Sequence, residues 1–290
     1  MGFRHQFEHR WRFWDVKFVQ ALPAAFLVCT WFSTAIGQTE ASGIQVSVDP
    51  AVQKLDGITQ RMAAYLNAMP TFEVRSESRW TLDGENRQVG GSGCEIQVRH
   101  PNSFHLRIGS EAAEDVSLEC ASDGESVTRL YKSAELNIFS EHEGGLKEIL
   151  DDAMTLSSLA GSGIELLARP DLHAYLMTSL TKVKDLGEEE LSGEKAYHFA
   201  GIWHDGSQVD FWIAARREPV MLRWQRRKKL ELGDDQPHEV KTDCILTWKP
   251  NAALPADFSR IAIPDDAVEV SDLQHFLMEG RTKDLLGQPA

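Results

Sequence analysis

VDFWIAARREPVMLRW (residues 209–224) holds two apolar alternations around a charged turn. Val209, Phe211 and Ile213 share one face of a strand, and Arg216-Arg217-Glu218 turns the chain. Val220, Leu222 and Trp224 continue the same apolar face on the return strand. A period of two over this length marks strands buried on one side.

Outward from this hairpin the pattern repeats. Strands are expected at about 182–190, 195–203, 208–214, 220–230 and 239–248, separated by turns such as Ser192-Gly193 and Asp205-Gly206. Tyr197, Phe199 and Trp203 share a face of the strand before the quoted stretch. Upstream, Phe72, Val74, Trp80 and Leu82 alternate with Glu73, Arg75, Glu77 and Arg79, and Asp83-Gly84 signals a hairpin. Gly90, Gly91 and Gly93 in the return strand suggest a bulge or bend. Phe104, Leu106 and Ile108 line another strand, followed by strands around 116–120 and 127–132.

Helices interrupt this series in two places. Asp49-Pro50 supplies an N-cap and a first-turn proline. Val52, Leu55, Ile58, Met62, Tyr65, Leu66 and Met69 then recur at steps of three and four until Pro70. Between the strand groups, Leu146, Ile149, Leu150 and Met154 mark a second helix, and a shorter third follows Pro170-Asp171. The order of helix, strands, helices, strands predicts an α+β fold with an antiparallel sheet. About nine or more strands at ~4.8 Å would span ~43 Å if flat. Helices of ~10 Å diameter cover less than that, so the expected form is a curled sheet wrapped around two or three helices.

Residues 1–37 carry Arg4, Arg10, Arg12 and Lys17 before an apolar run from Ala21 to Ile36, with small residues ahead of Gln38. This is the pattern of a signal peptide cut near Gly37, placing the mature chain in the periplasm or another exported compartment. Residues 38–48 form a flexible lead, 49–270 the folded domain and 271–290 a tail. Of 30 basic and 44 acidic residues the leader takes four and two, leaving 26 against 42 and a net charge near −16. Such a field opposes nucleic acid. Arg226-Arg227-Lys228-Lys229 reads as the charged, solvated end of a strand. Export permits disulfides, and Cys94 and Cys120 are either a disulfide or two inert, half-buried thiols.

No reaction motif stands out. His198, His204 and Asp205 are weighed as a metal site, but these are by default surface polar residues. Glu188-Glu189-Glu190 and Asp151-Asp152 lack a paired catalytic geometry. The chain carries no nucleophile elbow, phosphate loop or dinucleotide fingerprint, so a non-enzymatic protein without cofactors is expected.

All five tryptophans of the mature chain, Trp80, Trp203, Trp212, Trp224 and Trp248, fall in expected strands. An aromatic concave face is either a filled core or an apolar pocket. Periodicity alone favours the filled core.

Several stretches in order resemble the exported bacterial proteins grouped as domain of unknown function 2092. They include QRMAAYL (60–66), FEVR (72–75), VRHPN (98–102), Asp123-Gly124, Pro170 through Tyr175-Leu176-Met177, VDFWI (209–213) and Glu218-Pro219. That family looks like the LolA/LolB-like lipoprotein-carrier superfamily, whose members form an open half-barrel lidded by helices over a hydrophobic cavity. No functional residue carries over. The resemblance implies a periplasmic, cavity-bearing protein that binds an acyl chain, lipid or lipoprotein. Trp80, Phe104, Leu106, Phe199, Phe211 and Trp224 would then line the cavity, and Leu150 and Met154 its lid. The alternative is an interaction or sensor module with a filled core that recognises an envelope protein, and a hydrolase comes third. Separately, the tail from Gly280 to Ala290 resembles the approach to an exported thioredoxin-like domain.

Overall fold

The computed structural model describes residues 49–83, 88–110, 113–146, 149, 162–167, 169, 171–231 and 237–273. Its first element, α1 (Pro50–Ala68), starts where Asp49 caps the helix by accepting a hydrogen bond from the Ala51 amide at 2.8 Å. Leu55, Ile58, Thr59, Met62 and Leu66 form its buried stripe. Met69 is already extended, and Pro70 bars continuation.

Six strands follow: β1 (Thr71–Leu82), β2 (Gln88–Arg99), β3 (Ser103–Ser110), β4 (Ala113–Ser122), β5 (Ser126–Lys132) and β6 (Asn137–Glu143). Each pairs antiparallel with the one before it. Two short helices, α2 (Ile164–Leu167) and α3 (Leu172–Ser179), lead into a second meander. It comprises β7 (Leu180–Leu191), β8 (Glu194–Trp203), β9 (Gln208–Ala214), β10 (Met221–Glu231) and β11 (Pro237–Pro250). The two meanders join where β11 pairs antiparallel with β1. A two-residue β12 (Val268–Glu269) runs parallel to β6, completing the order β12-β6-β5-β4-β3-β2-β1-β11-β10-β9-β8-β7.

The sheet has twelve strands, where about nine or more were expected. β6 went unrecognised because its inward positions are Ile138, Ser140 and His142, an alternation without apolar contrast. The expected third helix is present as α3. Leu150 and Met154 of the expected second helix lie outside the described residues.

One face of the sheet is buried across both meanders, through Phe72 and Val74, Ile96 and Val98, Phe104 and Leu106, Phe199, Phe211, Trp224 and Leu246. A flat sheet of this width would extend ~53 Å, whereas α1, at 19 residues, is ~28 Å long. The sheet is therefore curled, with its apolar face turned toward α1 and α3.

The outer face is covered in two ways. Over β1–β6 the chain after β11 lies as a strap. Thr71 Oγ1 donates to the Ala252 carbonyl (2.9 Å), Arg99 to the Pro255 carbonyl (3.2 Å), and Asn137 Nδ2 to Asp266 Oδ1 (3.1 Å). Phe258 is buried beneath the Arg99 guanidinium, 4.5 Å from its ring. Over β8–β10, long polar side chains screen Asp210 and Trp212, so β9 is buried on both sides. The edge strand β7 is exposed but bulged twice, and Lys182, Lys184 and Glu188 to Glu190 stud it. Charges and bulges of this kind oppose edge-to-edge pairing.

Candidate functional site

The wall of the interior is built by β8, β9 and β10. Phe199 and Trp203, Phe211 and Ile213, and Met221 and Trp224 all face inward and are buried. Phe211 and Trp224 have ring centroids 4.9 Å apart, Trp203 meets Trp224 edge-on at 5.6 Å and 82°, and Tyr175 of α3 meets Trp203 at 5.8 Å. Such aromatic contacts add roughly 0.5–1.5 kcal/mol each beyond area burial.

The quoted hairpin differs from its expected pattern in one respect. A bulge between Met221 and Arg223 shifts the parity of β10. Met221 and Trp224 point inward, Arg223 pairs with the outward Trp212, and Leu222 is only half-buried. An alternation read from sequence continues through a bulge that the backbone does not respect.

Phe104 and Leu106 on β3 are fully buried in the other half of the same face. Trp80 also faces inward but is half-buried. Its ring lies across Gly90 of β2, so close that a Cβ built there would stand 2.7 Å from Trp80 Cε3.

The helices meet this wall along an apolar seam formed by Leu55 and Thr59 of α1, Leu176 of α3, Leu180, Phe211, Ile213 and Met221. The seam is too narrow for a water molecule. Among the described residues there is no guest-sized hollow, because the aromatic side chains interlock with α1 and α3 and do not stand around a space. Among the described residues the seam is closed.

Polar clasps hold the helices at the margins. Lys54 of α1 pairs with Asp185 of β7 at 2.7 Å, and that hydrogen bond, with one from the Gly187 amide, holds the Asp185 carboxyl below its ordinary range. Thr59 Oγ1 donates to the Leu55 carbonyl and lies within hydrogen-bond reach of His173 Nδ1 of α3 at 3.0 Å, while His173 Nε2 faces Asp56 at 3.4 Å. At the other end of α1, His100 Nε2 lies 3.2 Å from the Leu66 carbonyl. These links were not read from the sequence. The one signal was Thr59, a polar residue inside the apolar stripe of α1.

Cys94, Cys120 and Cys244 are all buried thiols, and no disulfide joins Cys94 to Cys120. Cys94 stands opposite Ile108 and Cys120 opposite Leu106, so β3 runs between them. Two strand spacings put their Cα atoms ~9.6 Å apart or more, beyond the ~7 Å a disulfide spans. Cys244 Sγ donates to the Ser162 carbonyl at 2.7 Å, and Ser76 Oγ donates to the same oxygen at 2.7 Å.

The histidine pair does not converge on a cation. The His198 ring stacks on Trp212 at 4.2 Å and its Nε2 faces Asp210 at 3.2 Å. Asp205 instead takes Ser207, Arg226 and Lys228. Burial opposes its ionisation, but those partners outweigh it and hold the carboxyl far below the usual range. The basic run splits between faces. Arg226 and Lys228 bind Asp205, Arg227 binds Asp210, and Lys229 is exposed.

Known proteins offer distant structural likenesses to this chain, together with a family match. No curated protein matches the chain. The lipoprotein LppX of Mycobacterium tuberculosis is 13% identical over 71% of this chain and 99% of its own, with a TM-score of 0.40. An uncharacterized conserved protein from Thermus thermophilus is 11% identical over 76% of this chain and 100% of its own, with a TM-score of 0.42. A LolA superfamily protein from Nitrosomonas europaea is 11% identical over 71% and 97%, with a TM-score of 0.31. Residues 56–272, which include both meanders and the strap, match a family of sequences described as "Predicted periplasmic protein (DUF2092)", and the chain belongs to that family.

Proposed function

We propose that this protein is an exported, non-enzymatic binding protein whose apolar interior opens along the seam to admit the acyl chain of a lipid or lipoprotein. The observation that carries the reading is the seam itself. Apart from Thr59, whose hydroxyl is held by the Leu55 carbonyl of its own helix, every side chain that lines the seam is apolar. A guest that parts them exchanges one apolar contact for another, so the helices move without stranding polar groups. Removing its surface from water contributes about 25 cal/mol per Å². Trp80, Phe104, Leu106, Phe199, Phe211 and Trp224 would then become lining. Leu150 and Met154 are proposed for the cover.

The closed seam favours a second reading, an interaction or sensor module that meets an envelope protein on its outer face. Native mass spectrometry of residues 38–290 purified from envelope extracts separates the two. Co-purified lipid, or saturable uptake of an apolar fluorescent probe, supports the carrier. An empty protein that ignores the probe and reproducibly captures one protein supports the module.

A further inference from the structure

Trp224 is 2% exposed, and its indole N–H has no hydrogen-bond acceptor. Two other tryptophans, on the neighbouring strands β9 and β11, are provided for. Trp212 donates to the Glu189 carboxylate, and Trp248 donates to the Met221 carbonyl at 2.7 Å. Trp224 lies against Phe211 at 4.9 Å and edge-on to Trp203 at 5.6 Å, which offer ring faces only, a second-order acceptor. Its ladder neighbour Cys244 is committed as a donor to Ser162. A buried donor left unsatisfied is costly, and native interiors carry few of them. Phenylalanine would fill nearly the same volume without that cost.

Phe211, on which Trp224 rests, is itself part of the seam wall. A guest that parts the seam at Phe211 therefore arrives beside this donor. A saturated hydrocarbon gains nothing from it, whereas a carbonyl oxygen carried on an alkyl chain gains a hydrogen bond in an apolar medium, where it counts most. We infer that the Trp224 indole N–H is the hydrogen-bond donor for the carbonyl oxygen of an acyl guest, and that it makes the interior selective for acyl compounds over plain hydrocarbons. This rests on the carrier reading and names the chemical class of its ligand.

The test compares the full chain and its Trp224→Phe variant with two probes, methyl palmitate and n-octadecane, by displacement of an apolar fluorophore. The expected result is that the variant binds methyl palmitate about tenfold more weakly, binds octadecane unchanged, and melts no lower than the parent. In the unsubstituted chain the Trp224 indole N–H resonance should shift downfield with methyl palmitate and not with octadecane. That measurement holds even if the variant folds poorly. Equal effects on the two probes, or an indole resonance indifferent to the ester, overturn the inference and leave the carrier reading intact. A chain that takes up neither probe overturns both.

Discussion

At Gly90 a hydrogen is the only side chain the neighbouring strand tolerates, because Trp80 lies flat across the backbone there. Gly90→Ala should push the indole off β2 and destabilise the fold by about 1–3 kcal/mol. A lower urea midpoint with an altered tryptophan emission spectrum would report it, and unchanged emission would mean the ring does not rest there. Glu119, on the outer face of β4, is a second residue with a defined cost. It takes His105, Lys132 and Arg107 as partners. The hydrogen bond from His105, ahead of the opposing burial and with help from Lys132, holds its carboxyl down to about 2 against an ordinary 4.5. The folded carboxyl thus binds its proton less tightly than the unfolded one. Its stabilisation is complete above pH 4.5 and drains away as pH falls toward 2. Glu119→Gln should cost about 1–3 kcal/mol at neutral pH and flatten the acid limb of stability in that window. Urea titrations at a series of pH values check both parts.

At the scale of the elements, α3 is a short helix with a weak start. It has eight residues, its N-cap Asp171 makes no capping hydrogen bond, and its link to α1 runs through His173. His173→Ala should cost about 1 kcal/mol locally and speed amide exchange in α3 while leaving β1–β6 as slow as before. Exchange by mass spectrometry distinguishes this from a global loss, and unaltered α3 amides would remove the clasp from the account. The strap makes the opposite case. Phe258 is buried and its carbonyl lies 2.7 Å from His105 Nδ1. Phe258→Ala should therefore destabilise by about 3 kcal/mol, with early exchange in β3 and β4.

For the whole molecule, an open curled sheet with its apolar face inward gives ligand binding a thermodynamic signature. A guest that binds only the folded chain should raise its stability by about 2.7 kcal/mol at a free concentration one hundred times Kd. Burial of apolar surface should also make the heat capacity of binding negative. Calorimetry with methyl palmitate measures both, and a positive heat-capacity change would contradict entry into the interior.

The class of fold was legible because period two and period three-to-four are local properties. Phe72, Val74, Phe104, Leu106, Phe199 and Phe211 announce an inward face by spacing alone, and Asp49-Pro50 announces a helix start. What spacing does not encode is partnership. The β10 bulge turned Leu222 aside, the intervening β3 kept Cys94 from Cys120, and β6 was missed because hydrogen bonding to β5, more than an apolar alternation, makes it a strand. The closed seam, the His173 clasp and the solitary Trp224 donor depend on which side chains distant segments bring within a few ångströms. Periodicity is set by each residue's immediate neighbours along the chain, whereas packing and hydrogen-bond satisfaction exist only once the sheet has curled around its helices.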